Sequence, residues 1–371
     1  MTSTKPFLSA LRGEAVQPAP IWLMRQAGRY LPEYRELRKN AKNFLDFCFT
    51  PEMAVEATRQ PLRRYAFDAA ILFSDILVIP HGLGQNVAFR EGEGPVLAPV
   101  RSLDDIEKLQ LDRVNDRLAP VFETVRELAT TLDDNTALIG FAGAPFTVAL
   151  YMIEGRGGTE GPNIRRWAAE KPDEFGRLID LLCEATANYL IAQVEHGAEA
   201  LQLFDSWAGL LPESLFRRWI IEPNRRIVEK VRDVYPDIPI IGFPRNAGVL
   251  YRDFAKQTGV SGISIDAGVP MDWAASELQP ICTVQGNLDN QILLCGGEIL
   301  DAEVRRIVDG LSGGPFVFML SQRVPNVAGV MAVENSAFGF INEAKLAKIG
   351  SLGAIGDFEK VVTETQRTDP F

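Results

Sequence analysis

The chain has 371 residues, 46% of them hydrophobic and 23% charged, proportions that exclude a disordered polymer and fit a folded globular protein. Its 38 basic side chains are outnumbered by 49 acidic ones, and the net charge of −11 argues against non-specific binding to nucleic acid or anionic membranes. An anionic ligand would have to be held by local arginines working against that field.

The stretch up to Pro20 lacks the basic-then-apolar pattern of a secretory signal. No apolar run reaches the roughly 18 residues of a membrane span, so a cytoplasmic protein is expected. Cys48, Cys183, Cys282 and Cys295 are scattered without a Cys-x-x-Cys pair, which reads as reduced thiols. His81 and His196 are too few and too far apart for a metal site, and no metal is expected.

Residues 21–25 (IWLMR) open as a short apolar strand, and Arg25 and Arg29 then bracket a Gln26-Ala27-Gly28 turn before a helix begins at Pro32. A guanidinium is a rigid fork of donors matched to carboxylate or phosphate, so two on one loop suggest a substrate with several acidic groups. Further strands are expected at 69–74, 137–142, 199–204, 238–243, 262–265, 281–285 and 316–320. Helices are expected between them at 51–65, 116–131, 172–196, 213–234, 247–258, 271–278 and 298–311. Thr50 and Asp301 suit helix starts, and Gly197 and Gly259 suit helix stops. No Ser/Pro/Gly-rich linker interrupts the alternation. Eight strands with helical crossovers predict a single-domain α/β fold, a closed (β/α)8 TIM barrel; an open doubly wound sheet more commonly uses fewer strands.

In such a barrel the chemistry sits at the carboxyl ends of the strands. Those ends are polar here: Arg25; Ser74-Asp75; Gly143-Ala144-Pro145; Asp205-Ser206; Pro244-Arg245; Asp266; Gly286-Asn287; and Ser321-Gln322-Arg323. Asp75 lies between apolar neighbours, where burial would raise its pKa and nearby arginines would lower it; it could equally cap a loop. The segment 81–99 has the alternation and glycines of a β-ribbon beside the mouth, and it lacks the Gly-Lys-Ser/Thr ending of a phosphate-binding loop.

Residues 25–35 (RQAGRYLPEYR), 73–77 (FSDIL), 143–147 (GAPFT), 151–155 (YMIEG) and 284–289 (VQGNLD) resemble successive motifs of the uroporphyrinogen decarboxylase family. The resemblance covers roughly residues 5–318, and the first motif is the most specific. It implies a cofactor-free barrel enzyme of haem and chlorophyll biosynthesis, usually a homodimer. The implied reaction converts the four acetate side chains of uroporphyrinogen III to methyls, giving coproporphyrinogen III. Arg25 and Arg29 would then grip substrate carboxylates, with Gln26, Ala27 and Gly28 shaping the loop around them. Asp75 would accept hydrogen bonds from the pyrrole N–H groups at the centre of the macrocycle. Tyr151 and Ser206 would contact the substrate near its acidic arms, although Tyr151 also reads as a packed helix residue and Ser206 as a strand-end hydroxyl satisfying backbone.

The chain departs from the family after the last strand. Where the family reads Asn-Leu-Gly-His-Gly, this sequence has Met319-Leu320-Ser321-Gln322-Arg323, with Gln322 in place of the histidine. Residues 1–320 therefore read as the catalytic barrel and 321–371 as a divergent tail. The tail is either a true divergence, with Gln322 or Arg323 replacing the histidine, or the product of an altered reading frame, which the abruptness of the change favours. Two other functions compete: a related barrel methyltransferase acting on a thiol or corrinoid, which would need a His/Cys zinc cluster, and an impaired paralogue that binds porphyrinogens without turning them over.

Overall fold

Apolar runs become parallel strands wherever a neighbour can satisfy both edges of their backbone. The computed structural model describes residues 5–90 and 93–321, so Gln322, Arg323 and the rest of the tail lie outside the described residues. The strands are β1 (Ala69–Ile71), β2 (Val87–Arg90), β3 (Gly94–Leu97), β4 (Ala137–Gly143), β5 (Ala200–Asp205), β6 (Ile240–Pro244), β7 (Gly262–Ser264), β8 (Thr283–Leu288) and β9 (Phe316–Leu320). Seven pair side by side in the order β1-β4-β5-β6-β7-β8-β9, all parallel. β2 and β3 form a separate antiparallel hairpin, the ribbon expected in the segment 81–99.

The first expected strand, 21–25, contracts to one residue. Ile21 bridges Phe318 of β9 in parallel, and the N–H of Phe318 donates to the Pro20 carbonyl at 2.9 Å. Toward β1, the N–H of Asp68 donates to the Ile21 carbonyl at 2.9 Å while the Asp68 carboxylate accepts the Ile21 N–H at 2.9 Å. A side chain thus replaces a ladder partner. This contact closes the sheet into a (β/α)8 barrel, with Ile21 at position one, β1 at two, β4 at three, and β5 to β9 at four to eight.

β1 is also short, and its end at Ile71 leaves the β4 edge unpaired at Phe141. The Gln193 amide, on the helix Pro172–Glu195, takes both groups: Oε1 accepts the Phe141 N–H at 2.9 Å and Nε2 donates to the Phe141 carbonyl at 3.1 Å. That approach needs a glycine beside it, since a Cβ at Gly140 would lie 2.6 Å from Gln193 Oε1. Gly197 and Gly259, at φ of +114° and +70°, stop their helices as expected. Thr50 occupies an N-cap position, but its hydroxyl donates back to the Asp46 carbonyl at 2.7 Å. Asp301 falls inside the helix Gly297–Leu311. The expected helix 213–234 is continuously helical, with a π-helical turn inside it at Arg217–Ile221.

The barrel interior carries a fully buried polar layer. The Trp22 indole N–H donates to Gln285 Oε1 at 2.8 Å, and Gln285 Nε2 donates to Ser264 Oγ at 2.6 Å and to Gln202 Oε1 at 3.1 Å. Gln202 and Gln285 sit on β5 and β8, which are not neighbours, so these bonds cross the inside of the barrel. Around this layer pack large side chains such as Phe7, Phe146, Phe254 and Phe318, all buried. Cys48, Cys183 and Cys282 are buried free thiols, and Cys295 is exposed. Among the described residues, no helix is long and apolar enough to cross a membrane. Gln285→Leu strands the Trp22 indole without an acceptor, and it is expected to cost about 1–3 kcal/mol, read as a lower urea midpoint at unchanged slope.

Candidate active site

The loop after Ile21 is built by its own side chains. Arg25 has φ of +59°, a conformation that costs about 1 kcal/mol or more for a non-glycine residue and has to be held in place. Gln26, next to it, does the holding. Its buried amide donates to the Ala69 carbonyl at 2.8 Å and accepts the Ile71 N–H at 3.1 Å, fastening the loop to β1. The Tyr30 hydroxyl donates to the Gln26 carbonyl, and burial pushes that hydroxyl's pKa far above its ordinary value. Beyond it, Pro32 starts the helix Pro32–Lys39, and Glu33 ties that helix to Arg64 through two bonds of 2.6 and 2.9 Å.

This scaffold leaves Arg25 and Arg29 exposed, and no hydrogen bond or ion pair to the described residues engages either guanidinium. Nor does any described acceptor take the backbone N–H groups of Arg25, Gln26, Ala27, Gly28 or Arg29. Ala27 and Gly28 are half-buried. The Gln26 side chain is committed to β1, so toward a ligand Gln26 can offer only backbone.

Asp75 lies just beyond β1. Its Oδ1 accepts the Leu77 N–H at 2.9 Å, the loop-capping role that the sequence allowed, while Oδ2 has no partner among the described residues. The capping and the vacancy coexist on one carboxylate. Burial pushes the Asp75 pKa up, opposed by the Leu77 N–H and by the positive charge of Arg25. The close approach of this segment to β4 depends on Gly143, where a Cβ would meet Val148 at 2.7 Å and Ile76 at 2.9 Å.

Tyr151 is half-buried on the helix Pro145–Glu154, a helix with an almost wholly buried surface. Its ring lies against Gly157, where a Cβ would be 2.5 Å from Cε1. Ser206 is half-buried directly after β5. In barrel order, Arg25, Asp75, Tyr151 and Ser206 follow positions one, two, three and four, four consecutive positions of the barrel.

A second carboxylate had no assigned role in the sequence. Asp205, at the last residue of β5, is buried; it accepts the Thr147 hydroxyl at 2.6 Å and the Asn224 amide at 3.3 Å. The Thr147 oxygen in turn accepts the Trp207 N–H at 3.1 Å, so the three groups pin the backbone that carries Ser206. Burial pushes the Asp205 carboxyl up to about 7, against the pull of both bonds. The strand-end position of Asp205 and the Thr147 motif were visible in the chain, but nothing in the sequence joins residues 147, 205 and 224. Two other rim groups are structural: Asp266 accepts the Tyr251 hydroxyl and the Asn246 N–H, and Asn287 donates to the Asp266 carbonyl at 2.7 Å.

Comparison with known proteins gives the family of the chain. Residues 2–335 match the model of the family described as uroporphyrinogen decarboxylase (URO-D). The chain is 56% identical over 320 residues to a uroporphyrinogen decarboxylase of Rhodospirillum rubrum, covering 86% of this chain and 92% of that protein. To a protein of the same name from a Chelativorans species it is 51% identical, covering 86% and 93% of the two chains. Among solved structures, a methyltransferase from Methanosarcina mazei superposes with a TM-score of 0.74 over 92% of this chain and 99% of that one. At 18% identity that likeness speaks for the fold alone. The sequence match, over nearly the whole of these relatives, establishes that the chain belongs to the uroporphyrinogen decarboxylase family.

Proposed function

We propose that this protein removes the carboxyl groups of the four acetate side chains of uroporphyrinogen III, giving coproporphyrinogen III and carbon dioxide. The observation that carries the reading is the pairing of one unengaged Asp75 oxygen with two unengaged arginines on the adjacent rim position, at the end of the barrel where such enzymes work.

The chemistry asks for that combination. Loss of carbon dioxide from a pyrrole acetate needs an electron sink, which the ring supplies when a carbon of the pyrrole is protonated. The bond to the carboxylate carbon breaks, its electron pair neutralises the ring cation, the resulting methylene takes up a proton to become methyl, and the proton first added to the ring carbon is lost to restore the pyrrole. Each arm therefore consumes one proton and releases one carbon dioxide. Asp75, accepting the pyrrole N–H groups through Oδ2, stabilises the cation with a charge that need not reorganise. Arg25 and Arg29 hold carboxylate arms, with the N–H groups of residues 26–28 as further donors. An arginine is a poor direct acid, so positioning is its first task. Tyr151 and Ser206 contact the arms along the adjoining rim. The protein acts in the cytoplasm as a homodimer and needs no cofactor.

The methyltransferase reading lacks its motif: among the described residues, no group of three or more His, Cys, Asp or Glu is placed to hold a metal ion. The impaired-paralogue reading rests on Gln322 in the histidine position, and tight porphyrinogen binding without turnover would favour it.

Two measurements test the proposal, and a third tests the charge state of the buried Asp205. Incubated anaerobically with uroporphyrinogen III, the protein is expected to yield coproporphyrinogen; Asp75→Asn should lower kcat at least about 100-fold, as does loss of other preorganised transition-state groups, with a thermal melt like the wild type's. Because burial raises the Asp75 pKa, the acidic limb of kcat/KM should lie above the ordinary carboxylate range. For Asp205, the folded state binds the proton more tightly than the unfolded chain. Its contribution to stability therefore falls as pH rises from about 4, the unfolded value, to about 7. Asp205→Asn should flatten that segment of a stability-against-pH curve; an unchanged slope would mean that the carboxylate is ionised throughout.

A further inference from the structure

The arginine clamp occupies one side of the rim, whereas the proposed substrate carries carboxylates around its whole circumference. Position five of the barrel is diametrically opposite position one, and β6 at that position ends in Pro244 followed by Arg245.

Arg245 differs from the surface arginines of this chain. Most of those are exposed and several close ion pairs with carboxylates three or four residues away, such as Arg306 with Glu303. Arg245 is half-buried, its Nε is sealed from solvent, and that nitrogen has no hydrogen-bond acceptor. No carboxylate among the described residues pairs with the guanidinium. The nearby rim acids are already engaged, Asp205 by Thr147 and Asn224, and Asp266 by Tyr251 and the Asn246 N–H. The terminal guanidinium nitrogens likewise have no partner among the described residues, and, unlike the sealed Nε, they are open to an incoming anion.

The backbone beneath it is fixed from both sides. The Arg245 N–H donates to the Asp205 carbonyl at 3.1 Å, and the Arg245 carbonyl accepts the Gly209 N–H at 3.0 Å, joining it to the loop that carries Ser206. A Cβ at Gly209 would stand 2.5 Å from that of Asn246, so the two loops pack without room for a larger residue. On the other side Asn246, at φ of +61°, is locked by its 2.7 Å bond to Asp266. A cation on so rigid a base loses little freedom when it takes a ligand.

We propose that Arg245 is a substrate-binding residue, holding a carboxylate arm of the macrocycle on the wall opposite Arg25 and Arg29. The assignment rests on the decarboxylase reading above. It makes the grip two-sided, with Asp75 engaging the ring between the clamps.

The test compares wild type, Arg245→Gln and Arg245→Lys in anaerobic turnover of uroporphyrinogen III, with thermal melts of all three. Arg245→Gln is expected to raise KM about tenfold or more, the loss of one charge-assisted hydrogen bond, while kcat changes much less. Arg245→Lys should recover part of the affinity by restoring the charge without the fork. An unchanged KM in Arg245→Gln overturns the proposal, whether its melting temperature is unaltered or falls, the latter result assigning Arg245 to the fold. If wild type itself gives no coproporphyrinogen, the decarboxylase reading fails. The remaining question is then put to binding of uroporphyrin by fluorescence quenching: weaker binding to Arg245→Gln supports a carboxylate site, and equal binding removes it.

Discussion

The barrel closes through a contact one residue wide, and the character of the site follows from that economy. Had residues 21–25 continued as a strand, their N–H and carbonyl groups would have been consumed by β1 and β9. Instead Asp68 and Gln26 supply side-chain substitutes for the missing ladder bonds, and the backbone from Met24 onward is released to turn across the rim. The left-handed conformation of Arg25 is the local cost of that turn, and the buried amide beside it, backed by Tyr30, is the compensation. A rigid loop with unengaged cations is what results from replacing strand pairing with side-chain pairing at one position of the barrel.

The same substitution explains which parts of the fold could be read from the chain. β4, β5, β6 and β9 are apolar runs of ordinary length, each paired along its whole length with at least one neighbouring strand, and the sequence marks them nearly to the residue. The first strand could not be read so, because its apolar pattern is that of a strand while its pairing stops after Ile21, where the Asp68 carboxylate stands in for a ladder partner and the Gln26 amide fastens the following loop to β1. The helix Pro145–Glu154 escaped for the opposite reason: it is buried around nearly its whole circumference, so it lacks the alternation of polar and apolar faces by which the surface helices were recognised. The π-helical turn at Arg217–Ile221 leaves no mark on a pattern that is otherwise continuously helical.

At the site, legibility followed the nature of each residue's partner. Arg25, Arg29 and Asp75 stand within short motifs, so neighbours in sequence announced them. The cluster of Thr147, Asp205 and Asn224 is made by three elements that meet only in the fold, and an aspartate at a strand end looks the same in sequence whether it is solvated or sealed against a hydroxyl and an amide. Two of the rim carboxylates are thereby differentiated. Asp205 has both oxygens occupied and supports a backbone, whereas Asp75 keeps one oxygen in reserve.

That reserve has a consequence in symmetry. Under the proposed function, a macrocycle with four acetates to lose presents four different arms to one set of groups, which a turn about the axis through its centre would accomplish. Contacts at the rim meet a new arm after each quarter turn and cannot be matched to any single arrangement of acetate and propionate. In that proposal a lone carboxylate oxygen facing the centre of the ring would meet the same four inward-pointing N–H groups every time. Under the proposed function, Asp75 is therefore the pivot of the site, the single contact invariant through all four turnovers, and one unoccupied oxygen is all that such a pivot requires.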